Sequence, residues 1–298
     1  TSGVTFYNFE NRANVDIIFR KSCTFENKLE CTQLSANVVF NSSDAALTFT
    51  FGTTTSAGAI TMTIPSGQPV KFEGNTTNAV TITGASSLHP VLCTGQQWNF
   101  DNGGSGSKVN LANIDYDPDI TTGGDGVTIT LTGDCEFDAV TVSSGDILDL
   151  NGQRAEFGGF LNAGTLQDNA SSGGQIYARS GFNYTGGSSW TGMDTLSTTD
   201  YIVTASDSHY INATPFKNIV VNTTGAPSFQ NYAPDAGTSN LILANGTMNK
   251  FGNDGSATGS ASVNNLTIAT GATATADTAT FTVAGDFTTS GGLLGASC

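Results

Sequence analysis

Two distant segments of this chain carry the same phrase, Phe137-Asp-Ala-Val-Thr-Val-Ser-Ser-Gly145 and Val263-Asn-Asn-Leu-Thr-Ile-Ala-Thr-Gly271, each followed by a second short apolar run. The likeness continues downstream, where Phe160-Leu-Asn-Ala-Gly-Thr-Leu166 aligns with Phe287-Thr-Thr-Ser-Gly-Gly-Leu293. A strand-plus-turn unit cannot bury its apolar face alone, so its repetition calls for units stacked on one another. Val142, Val221 and Ile268 take equivalent places in the alignment, with gaps of 79 (221 − 142) and 47 (268 − 221) residues. Irregular rungs with insertions are the expectation. A middle copy, Phe216-Lys-Asn-Ile-Val-Val-Asn-Thr-Thr-Gly225, has one extra residue before its glycine, which predicts a bulge.

Apolar and polar residues alternate at period two in Val4-Thr-Phe-Tyr, Ala46-Leu-Thr-Phe-Thr-Phe51, Ala59-Ile-Thr-Met-Thr-Ile64, Val70-Lys-Phe, Val80-Thr-Ile-Thr83 and Val127-Thr-Ile-Thr-Leu-Thr132. Each reads as a short strand with one buried face. No window sustains helical periodicity, so parallel pairing through helical crossovers is excluded. The expected fold is all-β, an elongated β-solenoid of the parallel β-helix kind with irregular rungs; tandem β-sandwich modules are the alternative. Four regions follow: a strand-rich part over 1–100, repeat-bearing β regions over 108–168 and 201–298, and an aromatic Gly/Ser-rich insertion over 169–200. The stretch 101–107 reads as a flexible turn.

Charged residues make up only 12% of the 298, with ten basic against twenty-five acidic and a net charge of −15. Phosphate-backbone binding needs clustered cations, so nucleic acid is excluded as a partner. The longest basic run, Arg20-Lys21, reads as two solvated charges at a strand end. No apolar stretch approaches the roughly 18 residues that cross a bilayer, so no membrane insertion is expected. Five cysteines, at 23, 31, 93, 135 and 298, lack the paired spacing of a zinc site. Cys23 and Cys31 are equally compatible with a hairpin disulfide and with two buried thiols.

The phrase at 263–271, followed by Thr280-Phe-Thr-Val-Ala-Gly-Asp-Phe-Thr-Thr-Ser-Gly291, resembles the β-solenoid repeats of phage tail-fibre and other virion-appendage proteins and of large bacterial surface adhesins. The resemblance covers 137–166 and 216–293, and touches the N-terminal third only through Phe6-Tyr-Asn-Phe9. It implies a location and a task and brings no catalytic residue with it.

Two constellations are candidates for chemistry. Asp134, Glu136 and Asp138 alternate along one strand, so their carboxylates share a face at steps of about 7 Å, a spacing within the range of glycoside hydrolysis. An acidic, solvated sheet edge is the competing and favoured reading. Asp115, Asp117, Asp119 and Asp125 surround a glycine-rich turn and form a candidate Ca²⁺ site, although Ile120 and Gly126 stand where an EF-hand needs Gly and Glu. No cofactor other than that Ca²⁺ is expected. His89 and His209 are isolated, and no HExxH, GxSxG or phosphate-cradling glycine motif occurs. Eight Asn-x-Ser/Thr sites are near the chance number in so hydroxyl-rich a chain.

These observations point to a non-enzymatic structural appendage protein of a virus particle, such as a tail fibre, spike or head-surface fibre. The alternatives are a microbial cell-surface adhesin or extracellular filament subunit, and a polysaccharide depolymerase. Expected partners are further copies of the chain, other structural proteins, and a host-surface glycan or receptor, at a virion surface or outside the cell.

Overall fold

A computed structural model describes residues 3–13, 15–31, 38–41, 45–52, 60–63, 69–73, 79–86, 91–93, 97–99, 108–115, 119–122, 124, 126–162, 164–170, 172–183, 193–210, 216–230, 239–248, 250–252, 260–274, 280–290 and 293–294. The period-two segments form strands as their patterning dictates: Val4–Asn11, Leu47–Phe51, Ile60–Thr63, Pro69–Glu73, Val80–Gly84 and Thr128–Leu131. Among the described residues the only helical element is a six-residue 3₁₀ helix, Met193–Thr198. Strands make up 61% of the structure, paired in parallel as a β-solenoid, and the tandem-sandwich alternative falls away.

Three stacked columns of strands enclose one core. On the first, Val80, Val109, Ile129, Leu148 and Leu166 stand one above another in register. On the second, the series is Cys135, Ala155, Ile176, Tyr201, Ile219, Leu241, Leu266 and Phe287. The third passes through Trp98, Ile120, Val140 and Phe160. Long strands serve two columns: in Cys135–Val142 the first half pairs below with Ile114 and the second half with Ile120. The ladders cross the region boundaries expected near 168 and 200 without a break, since Gln175–Ala178 pairs on one side with residues 154–157 and on the other with 200–203.

In-register stacking puts like on like in the interior. Phe25 stacks on Phe6 and on Phe51 with ring centroids 5.7 and 4.9 Å apart, and Phe19 stacks on Phe40 at 5.3 Å. Each such pair adds about 0.5–1.5 kcal/mol to the area it buries. Higher up, Phe137 lies over Phe157 and Tyr201 over Phe216.

The turns of the opening repeat behave as the alignment requires, since Gly145 and Gly271 both adopt left-handed backbone, with φ of +93° and +82°. Their strands, however, occupy different columns. Val221 and Ile268 share a column with Phe137, through Phe157, Ala178, Val203 and Leu243, whereas Val142 belongs to the third column. The repeat is therefore a corner device used at two different corners, and the 79-residue gap compares unlike positions, whereas the 47 residues from Val221 to Ile268 span two circuits of one column through Leu243. A register shift does follow Val221, but the extra residue is Ala244 on the neighbouring strand, because Asn222 pairs with Asn245.

The disulfide option is closed by geometry. Cys23 and Cys31 are buried at opposite ends of one strand, with roughly 26 Å of extended chain between them at 3.3 Å per residue and their strand halves on different columns. A bridge needs less than about 7 Å. Burial pushes the Cys31 thiol up to about 11 and the Cys135 thiol up to about 12, which keeps both protonated and inert.

Candidate functional site

The outward positions of the second column carry the densest group of charged side chains among the described residues. Pairing of Ile114 with Cys135 sets Asp115 beside Glu136; Glu136 pairs with Glu156, and Glu156 with Tyr177. Adjacent rungs are about 4.8 Å apart, so three carboxylates lie in a row along the solenoid axis. Like charges placed directly opposite repel. Two arginines answer that repulsion: Arg179 Nη1 lies 3.0 Å from Glu136 Oε1 and its Nε lies 3.1 Å from Glu156 Oε1, while Arg154 pairs with Glu156 Oε2. Arg179 also donates through Nη2 to the carbonyl of Phe137, and the Arg154 guanidinium sits 4.4 Å over the Tyr177 ring.

Half-burial raises the Glu136 carboxyl above its ordinary range. Arg179 opposes that rise, and the neighbouring Glu156 and Asp115 add to it. A shallow groove of about 170 Å³ opens beside this ladder, lined by Asn113, Asp115, Asp134, Glu136 and Arg154. The combination offers a carboxyl held above its ordinary range, a planar guanidinium stacked on an aromatic ring, and polar groups able to bind hydroxyls. For glycoside hydrolysis the two carboxyls should flank the scissile bond. Here Glu136 and Glu156 lie side by side on one sheet and share Arg179.

The carboxylate cluster thus runs across rungs, through Asp115, Glu136 and Glu156, and only Glu136 of the three expected along the strand lies at its centre. Asp134 is exposed and accepts the Arg154 N–H at 3.0 Å. Asp138 is exposed where the strand bends between columns and faces Gly158, where a Cβ would come within 2.8 Å of the Asp138 carbonyl oxygen. The missed signal was Cys-Glu-Phe at 135–137 returning as Ala-Glu-Phe at 155–157, one rung of 20 residues later.

Of the Ca²⁺ candidates, Asp115 belongs to the outward ladder and Asp119 begins the strand Asp119–Thr121; Asp117 and Asp125 lie outside the described residues. The glycine-rich turn has the opposite polarity from a cation site. The Asp146 carboxylate, fully buried, accepts N–H bonds from Gly124 at 2.7 Å, Gly126 at 2.8 Å and Val127 at 2.8 Å. Backbone donors converge there on an anion that the next rung supplies. No group of three or more metal-ligating side chains occurs among the described residues.

Comparisons of the chain with protein-family models, with curated proteins and with solved structures return no match. The reading of function accordingly rests on the chemistry of the residues themselves.

Proposed function

We propose that this chain is a structural appendage protein, a fibre or spike component at the surface of a virus particle, which assembles with further copies of itself and displays an irregular polar surface. The observation that carries this reading is that outward polar side chains bind one another along the axis. Asn218 donates to Asp200 at 2.8 Å, Asn240 to Asn218 at 3.0 Å, and Asn264 and Asn265 to Asn240 at 3.2 and 2.9 Å. Such ladders rigidify a stack without converging on a substrate. Exposed apolar residues support self-association, since Val4, Tyr7, Val15 and Ile18 gather on the rungs at one end. Elongated oligomers in light scattering and negative-stain electron microscopy are the expected result; a compact monomer overturns the reading. A cell-surface adhesin or filament subunit would be built from the same stack.

The Glu136–Glu156 pair favours one second reading, a polysaccharide depolymerase. Turnover of capsular or algal polysaccharide by the wild-type chain, abolished in both E136Q and E156Q, would establish it in place of the first.

A further inference from the structure

We propose that a corner groove at Arg20 and Lys21 binds the carboxylate of an acidic saccharide. The inference gives the surface-display reading a ligand and rests on it. The groove, of about 470 Å³, lies where the corners of three successive rungs meet: Gly3 on the first, Arg20, Lys21 and Ser22 on the second, and Ala45 to Leu47 on the third. Stacking fixes this arrangement, because Val4 N–H donates to the Ser22 carbonyl at 3.0 Å and Thr48 N–H donates to Ser22 Oγ at 3.0 Å. The Ser22 hydroxyl accepts that bond with one lone pair and keeps its hydrogen to donate.

Arg20 and Lys21 differ from the four ion-paired cations. Arg12, Lys28, Arg154 and Arg179 each lie against a glutamate. Arg20 and Lys21 are exposed, have no ion pair among the described residues, and border a groove whose described lining includes no carboxylate. The lining combines donors of Arg20, Lys21 and Ser22 with the apolar side chains of Ala45, Ala46 and Leu47. That is the pattern a uronic acid requires: a guanidinium fork for the carboxylate, an ammonium and a hydroxyl for ring oxygens, and small apolar groups beneath the C–H face. The net charge of −15 opposes acidic ligands at a distance, but beyond about 8 Å it is screened at physiological salt, so the local pair governs binding.

The test is binding of the full chain to polygalacturonate, with neutral dextran, dextran sulfate and polyglutamate as the other arms. Polygalacturonate should bind, more weakly as salt rises, and R20Q/K21Q should weaken binding by at least about tenfold. K108Q/K217Q, which removes two exposed cations elsewhere, should leave it unchanged. No binding of polygalacturonate, or equal loss in the control variant, overturns the proposal. Preference for dextran sulfate overturns the carboxylate assignment, and equal binding of polyglutamate overturns the saccharide. Light scattering of the wild-type chain separates the two readings: elongated oligomers that fail to bind polygalacturonate remove this inference alone, whereas a compact monomer removes the reading on which it rests.

Discussion

The rungs between about residues 122 and 174 and those after 200 meet the same need by different chemistry. In the first set, turns are held by buried carboxylates. Asp146 gathers three backbone N–H groups; Asp168 accepts from Gly152 N at 2.7 Å and from Thr199 Oγ1 at 2.8 Å; Asp149 accepts from Asn151 N and from the Asn169 and Gln167 amides. In the second set, amides predominate in the asparagine ladder that starts from Asp200, and the buried pair Tyr201 Oη to His209 Nδ1 at 2.9 Å carries no carboxylate. A buried charge bonds strongly and is costly to disrupt, whereas an amide ladder can lose one member and keep the rest. The first set should therefore be the less tolerant of substitution and the second the more sensitive to acid.

The sharpest way to break this contrast is Asp146→Ala, which strands three backbone donors and should cost about 3–5 kcal/mol in chemical denaturation. A loss under about 1 kcal/mol would mean that water replaces the carboxylate and that the staple is dispensable. Acid comes next. Burial lowers the His209 imidazole from 6.5 to about 4, with Asp207 opposing. The folded state thus binds fewer protons than the unfolded one between those values, so stability is complete above about pH 6.5 and falls as pH drops toward 4. The whole effect is about 3 kcal/mol, and H209Q should flatten it. Hydrogen exchange at pH 5 should show rungs near 201–219 opening before those near 127–149. Asn240→Ala removes one donated and two accepted ladder bonds at a half-buried position and should cost about 1–2 kcal/mol, well below Asp146→Ala. The smallest expected effect concerns Asn151, which has φ of +48° and donates to the Leu131 carbonyl at 3.0 Å. Asn151→Ala should cost about 1 kcal/mol more than Asn151→Gly, because only the former imposes a Cβ on left-handed backbone.

The ladder at Glu136 tests the same contrast on the surface. Arg179→Gln should raise the Glu136 carboxyl further, since the main opposing influence disappears; NMR titration would read this directly. A carboxyl raised on folding titrates with the opposite sign to His209, so Glu136 favours the folded state as pH falls through the window just above 4.5.

Strand positions were legible because alternation such as Leu47-Thr-Phe-Thr-Phe51 reports one buried face residue by residue, with no knowledge of neighbours. The columns were not, because register depends on which rung each strand meets, and rungs vary in length. Asp146 beside Gly145 reads locally as an ordinary turn residue; its three donors come from a corner about 20 residues earlier. The carboxylate row was sought along the strand at 134, 136 and 138, where the i, i+2 step is about 7 Å. The rung-to-rung step is shorter, and it brings Asp115 and Glu156 closer to Glu136 than its own strand neighbours can be.

Between vertically paired residues the chain uses as few as 18 residues, from Tyr201 to Ile219, and as many as 33, from Phe49 to Ile82. Each circuit nonetheless adds the same rise, about 4.8 Å. Reach along the axis is therefore counted in circuits and not in residues. Corner segments can lengthen, shorten or change sequence without moving anything above or below them. In such a molecule the distance it spans and the surface it presents are set by separate parts of the sequence, and either can change while the other stays fixed.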